Sequence, residues 1–130
     1  MIVDTSAILA IGLGEPEQKK FLNLIQDSEE NYISAVSYLE LSMVALKRGD
    51  VLSERRMEQL LEKLNIVIAP ISVAQAKIAR DAYRDFGKGR NKAGLNLGDC
   101  FSYALARERK EPLLFKGNYF SKTDITSALA

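Results

Sequence analysis

The chain has 130 residues, 47% of them hydrophobic, and a formal charge of +1 at pH 7. That length suits one domain on one core, spanning residues 1–130, and the apolar share is too high for a disordered chain. The near-neutral balance leaves no global basic field, so any contact with a nucleic acid has to come from a local patch. There is no histidine and a single cysteine, Cys100, which excludes an intramolecular disulfide and disfavours a structural zinc site. No apolar run approaches the roughly 20 residues that span a bilayer. The start lacks the basic and long apolar regions of a signal peptide. A cytoplasmic, reducing location is therefore expected.

The chain opens on a short apolar strand, Met1 to Asp4. Thr5 and Ser6 can start a helix through Leu13, which Gly12 and Gly14 break. Pro16 suits the first turn of the next helix, whose apolar residues are Phe21, Leu22, Leu24 and Ile25. Tyr32, Ile33 and Ser34 read as a second strand. Ser37 fits a helix N-cap with Glu40 three residues on, the spacing of a capping box, and that helix stops at Gly49. Met57, Leu60, Leu61 and Leu64 have helical spacing. Ile66 to Ala69 is continuous and β-branched, the pattern of a buried parallel strand. Val73, Ala76, Ala79, Tyr83 and Phe86 mark an amphipathic helix closed by Gly87. Tyr38, Tyr83, Phe101 and Tyr103 have the spacing of core residues. Gly87 to Gly98 is a loop that carries Lys88, Arg90 and Lys92 and no acid. A helix from about Asp99 to Arg109 and a fourth strand, Pro112 to Phe115, follow. Strands alternating with helices predict an α/β fold, a central mainly parallel sheet flanked by helices on both faces.

In such a sheet the strand ends and helix starts gather on one edge, where ligands bind. Asp4, Glu40 and Asp99 each fall where the topology can bring them to that edge. Singly, each also has a structural reading: Asp4 and Asp99 as a cap or first-turn acid, Glu40 as the glutamate of a capping box. Together they suggest chemistry, because acids sharing a small pocket raise one another's pKa or recruit a cation. None has a basic residue four positions away along the chain. Mg²⁺ takes oxygen ligands and keeps several waters, so two or three carboxylates suffice to hold it. Such an ion activates water and polarises a phosphoryl oxygen. Without histidine, an imidazole acid–base route is closed, so any catalysis is expected to run through carboxylates and a hard metal. Lys88, Arg90, Lys92 and Lys116 are candidate phosphate contacts that would act without reading sequence. The first three read equally well as a solvated loop. Cys100 beside Asp99 reads as a small buried residue. A phosphorylation receiver domain would need an aspartate ending a middle strand, and Ile66 to Pro70 offers none. A phosphate-loop motif is also missing.

The spelling of these segments resembles a known family. Ile2-Val3-Asp4-Thr5-Ser6-Ala7, then Ser37-Tyr38-Leu39-Glu40, then Leu95-Asn96-Leu97-Gly98-Asp99-Cys100, then Pro112-Leu113-Leu114-Phe115-Lys116-Gly117-Asn118 stand in the order and spacing of PIN-domain proteins. Within that family the set resembles the VapC toxins of toxin–antitoxin (VapBC) pairs. The resemblance implies a PIN-like fold and a Mg²⁺- or Mn²⁺-dependent endoribonuclease acting as a toxin. It implies Asp4 and Asp99 as principal metal ligands and Glu40 as the acid completing the site. Thr5 and Ser6 would support the metal or scissile phosphate, with Asn118 close by. It also implies an RNA substrate, a homodimer, and a cognate VapB-type antitoxin that covers the groove. One departure stands out: relatives with this ending often carry an acid in the place of Tyr119. Only Asn118 and Asp124 remain near that position, so a second metal is expected to bind weakly or only with RNA. Asp124 reads either as a substitute or as a cap or turn residue. If the departure leaves no productive metal site, the alternative is a PIN-like module that binds protein or RNA with little or no catalysis.

Overall fold

Two apolar cores share one thin sheet. The computed structural model describes residues 1–49 and 52–129. Its strands are β1 (Ile2–Val3), β2 (Asn31–Ser34), β3 (Ile66–Ala69) and β4 (Leu113–Leu114), all parallel, in the order β3-β2-β1-β4. Successive side chains on a strand point to opposite faces. Val3, Ile33 and Leu114 accordingly enter one core, and Ile2, Leu113 and Ala69 the other. The first core is closed by α1 (Thr5–Gly12), α2 (Gln18–Asp27), α3 (Ala35–Arg48) and α4 (Glu54–Lys63), through Ile8, Phe21, Leu41 and Met57. The second is closed by α5 (Val73–Phe86) and α6 (Leu97–Arg109), through Ala79, Ala82 and Leu105. Burying each large apolar side chain stabilises the fold by about 1.5–3 kcal/mol. Sums on that scale can hold like charges together at an edge. Among the described residues no helix is long and apolar enough to cross a membrane.

The local expectations need five corrections. Pro16 lies in the turn before α2, which begins at Gln18, and not in the first turn of that helix. The helix around Glu40 is capped by Ser34, whose hydroxyl accepts from the Val36 amide, and not by Ser37. Both serines suit a cap by type. Ser34 takes the role because it sits at the end of β2 in the extended cap conformation, where the chain leaves the sheet. No capping box therefore forms between Ser37 and Glu40. The helix that carries Asp99 begins two residues earlier, at Leu97, capped by Asn96 in a true capping box with Asp99. β3 is an edge strand: Ile66 and Ala69 are buried but Val67 and Ile68 are 54% and 43% exposed. Among the described residues it pairs only with β2, so its central residues lack the cover a middle strand has. Tyr83 is also exposed, whereas Tyr103 is in the core and Tyr38 and Phe101 pack against its margins.

Candidate active site

Asp4 is the first residue past β1, with the extended backbone of an N-cap. Its Oδ2 accepts from the Ser6 amide at 3.0 Å and from the Ser6 hydroxyl at 2.7 Å. Its Oδ1 accepts from the Ser102 hydroxyl at 2.6 Å. Asp4 is thus a helix cap and also an acid on the carboxyl edge of the sheet, and it is only 4% exposed. Ser6 in turn accepts the Lys116 amide at 3.0 Å, which fixes the end of β4 against the start of α1.

Glu40 and Asp99 complete the rim from α3 and α6. A Cβ on Gly98 would fall 1.9 Å from Glu40 Oε1, so the carboxylate occupies the space that only glycine leaves beside Asp99. Burial pushes the Glu40 carboxyl above its ordinary range, and the charge of Asp4 adds to that. Burial pushes Asp99 up to about 6, with Asp4 and Glu40 reinforcing the shift and the Asn96 amide opposing it. That amide donates to Asp99 Oδ2 at 3.0 Å. The three acids therefore act on one another across the sheet edge.

The remaining predicted residues divide. The Thr5 hydroxyl donates to the Ser37 carbonyl at 3.1 Å, so Thr5 joins α1 to α3. Lys116 reaches the edge, but its ammonium lies 2.5 Å from Glu15 and 3.3 Å from Glu17. Lys88, Arg90 and Lys92 are exposed on the loop before α6. Arg90 and Lys92 line an open depression of about 880 Å³ with Gly89, Asn91 and Lys122. Asn118 and Tyr119 are exposed on the turn after β4. Asp124 is not a fourth acid here. It accepts from the Tyr103 hydroxyl at 2.5 Å and pairs with Arg107 at 3.5 Å. Arg107 lies about 12 Å along α6 from Asp99 at 1.5 Å rise per residue. Sequence reasoning missed Ser102. Its one signal was a hydroxyl three residues after Asp99, in a stretch of α6 whose other residues from Tyr103 to Ala106 are apolar and buried.

The sequence profile of the PIN domain matches residues 1–125. The chain belongs to the PIN-domain family. Ribonuclease VapC28 of Mycobacterium tuberculosis is 45% identical over 130 residues, covering 99% of this chain and 98% of the relative. Ribonuclease VapC of Mycolicibacterium smegmatis is 41% identical over 127 residues, covering 98% of each. The fold is similar to the crystal structure of Mycobacterium tuberculosis VapC20, a toxin described as cleaving the sarcin–ricin loop. There the TM-score is 0.73 at 16% identity, over 96% of this chain and 95% of that one.

The PIN-domain edge suits a hard divalent cation. Its donors are carboxylate oxygens, two of the three carboxyls are pushed toward the protonated form, and glycine at 98 makes room for Glu40. Among the described residues no three Asp, Glu or Cys side chains already converge as a metal cluster.

Proposed function

We propose that the protein is the toxin of a VapBC-type toxin–antitoxin pair, an endoribonuclease that uses Mg²⁺ or Mn²⁺ to hydrolyse RNA phosphodiester bonds. The reading is supported by one observation: Asp4, Glu40 and Asp99 lie along the carboxyl edge, where burial, reinforced by their mutual charge, raises the carboxyl pKa values of Glu40 and Asp99. The ribonuclease names of its relatives support it. Asp4 and Asp99 would hold the ion from the end of β1 and the first turn of α6, and Glu40 from α3. Bound there, the ion supplies a nucleophilic water at neutral pH and neutralises charge on the phosphoryl oxygens. The chain's own contribution is to orient the carboxylates and to attract the strand. Lys88, Arg90 and Lys92, joined by Lys122, do the latter through backbone phosphates. Lys116 can join them only by leaving Glu15 and Glu17, so the loop is the stronger candidate.

The antitoxin has a place to bind. Leu39, Met43 and Leu46 form a stripe on α3 at spacings of four and three, and they are 59%, 48% and 65% exposed. The stripe flanks Glu40, so an apolar segment laid along it would cover the acids. A homodimer of the toxin, as VapC resemblance implies, completes the proposed assembly.

The deciding experiment is cleavage of a 5′-labelled structured RNA pool by antitoxin-free protein. Cuts are expected with Mg²⁺ or Mn²⁺, none with EDTA, and the downstream products should carry 5′-phosphates. Cyclic phosphate ends, or cutting that survives EDTA, would sink the mechanism. Removing Lys88 and Lys92 together should flatten the salt dependence of RNA binding by about 0.7 for each phosphate no longer neutralised.

Gly98→Ala gives a sharper test of the site alone. The new methyl would expel the Glu40 carboxylate, the far end of a flexible side chain, and leave the backbone in place. Cleavage should fall on the order of 10²-fold, the scale of an ångström's misplacement at a reacting centre. The melting temperature should hardly move. Full activity in this variant would remove Glu40 from the site.

A further inference from the structure

Beneath the rim of acids lies a second set of polar groups. Ser37 and Ser102 are both fully buried. They sit on α3 and α6, and their hydroxyl oxygens are 2.9 Å apart. Ser102 has one hydroxyl proton, and it donates that proton to Asp4 Oδ1 at 2.6 Å. The contact between the serines is therefore donated by Ser37. The order of donors runs Ser37 to Ser102 to Asp4. Thr5 fixes the first link by donating to the Ser37 carbonyl at 3.1 Å. The opposite oxygen of Asp4 is held by the Ser6 amide and hydroxyl. Rotation of the carboxylate would break bonds at both ends. Because Ser102 follows Asp99 by one helical turn, the same bond also sets Asp4 against the helix that carries Asp99.

We propose that Ser102, oriented by Ser37, is a positioning residue that locks the Asp4 carboxylate against α6 so that Asp4 and Asp99 face one divalent cation together. This rests on the metal-dependent reading of the site. Ser102 reaches neither RNA nor the reacting atoms and acts only through Asp4. Loss of Ser102 releases the carboxylate. Loss of Ser37 leaves the bond to Asp4 but frees the Ser102 hydroxyl to turn. Loss of Ser37 once Ser102 is gone removes nothing more that bears on Asp4. The two substitutions should therefore be non-additive in cation binding. Serines that merely fill the core would lower stability and leave cation affinity as it was.

The test is a Mn²⁺ titration of the full chain, read from the electron paramagnetic resonance signal of free Mn²⁺, with a thermal melt of each protein alongside. Ser102→Ala should weaken Mn²⁺ binding about tenfold, the usual effect of losing a hydrogen bond to a ligand side chain. Ser37→Ala should weaken it less, and the double variant no more than Ser102→Ala. Unchanged affinity in folded Ser102→Ala, or losses that simply add in the double variant, overturns the proposal. Should Ser102→Ala not fold, Ser37→Ala decides: weaker binding supports the proposal and unchanged binding overturns it. If the wild type binds no Mn²⁺, the metal-dependent reading falls and this proposal with it. If the wild type binds Mn²⁺ and Asp99→Asn does not, yet the serine variants match the wild type, only the positioning role is lost.

Discussion

Without divalent ions at pH 7.5, Asp99→Asn is expected to melt at a higher temperature than the wild type, yet to lose most of its cleavage once Mn²⁺ is supplied. The Asp99 carboxyl is pushed up to about 6, first by burial and then by Asp4 and Glu40. An unfolded chain releases that proton near pH 3.9. Between those values the folded state binds more protons than the unfolded state, so stability falls as pH rises through the window. Above pH 6 the loss is complete. Asparagine carries no charge at any pH and still offers an oxygen to the Asn96 amide, which donates to Asp99 at 3.0 Å. The stability gap between variant and wild type should therefore be absent below about pH 4 and full above about pH 6. Asp99 is partly exposed, so solvent screening limits the gap to on the order of 1 kcal/mol, or about 4 °C.

Mn²⁺ should reverse the order. A ligand that binds only the folded state stabilises it by about 2.7 kcal/mol at a hundred times its dissociation constant. The wild type gains this, and the variant, lacking one of three carboxylates, gains far less. Cleavage should drop by about 10²-fold or more, the cost of removing one preorganised electrostatic group. Thermal melts at pH 4, 5, 6 and 7.5, with EDTA or Mn²⁺, read the whole pattern. A wild type that stays more stable than Asp99→Asn in EDTA at pH 7.5 would show that burial and the neighbouring acids do not destabilise the Asp99 carboxylate.

Much of this arrangement was legible in the sequence because its determinants are local. The alternation of strands and helices follows from runs such as Met1 to Val3 and from the periodic apolar positions of α4 and α5. Once the alternation is read as a parallel sheet, topology alone carries Asp4, Glu40 and Asp99 to one edge. Fine choices between equal local signals were not legible. Ser34 and Ser37 are both good caps, and the end of β2 selects the first. Asn96 and Asp99 both suit the start of α6, and each takes one half of the capping box.

Other features were hidden because they arise from partners far along the chain. The exposure of Val67 and Ile68 depends on β3 lying at the sheet margin, which no property of Ile66 to Ala69 encodes. Asp124 could be placed only once Tyr103 and Arg107 were seen to hold it. The bond from Ser102 to Asp4 joins residues 98 positions apart. A lone serine in an apolar helix is weak notice of such a contact, since hydroxyls in helices commonly bond back to their own backbone.

Asp4→Ala should abolish cleavage as thoroughly as any change at Asp99 but lower stability where Asp99→Asn raises it. Asp4 is 4% exposed and satisfies the Ser6 amide, the Ser6 hydroxyl and the Ser102 hydroxyl. Alanine removes the cap of α1, which costs about 1 kcal/mol. It also leaves buried donors without an acceptor, at about 1–3 kcal/mol for a site of this kind. Relief of repulsion with Glu40 and Asp99 offsets part of this. The net loss should be about 2–3 kcal/mol, or roughly 10 °C in melting temperature. Asp4→Asn should fall between, because asparagine caps a helix as well as aspartate does. Its amide oxygen would face Ser6, whose backbone N–H can only donate, and its nitrogen would face Ser102, whose hydroxyl can turn to accept. Both Asp4 variants should be inactive, since neither restores a charged ligand at the end of β1. Urea unfolding of the wild type, Asp4→Ala, Asp4→Asn and Asp99→Asn in EDTA at pH 7.5 checks the order Asp99→Asn, wild type, Asp4→Asn, Asp4→Ala, from most to least stable. If Asp4→Ala proved as stable as the wild type, the hydroxyl bonds to Asp4 would contribute nothing to the fold. The division between one acid that anchors the site and another that strains it would then fail.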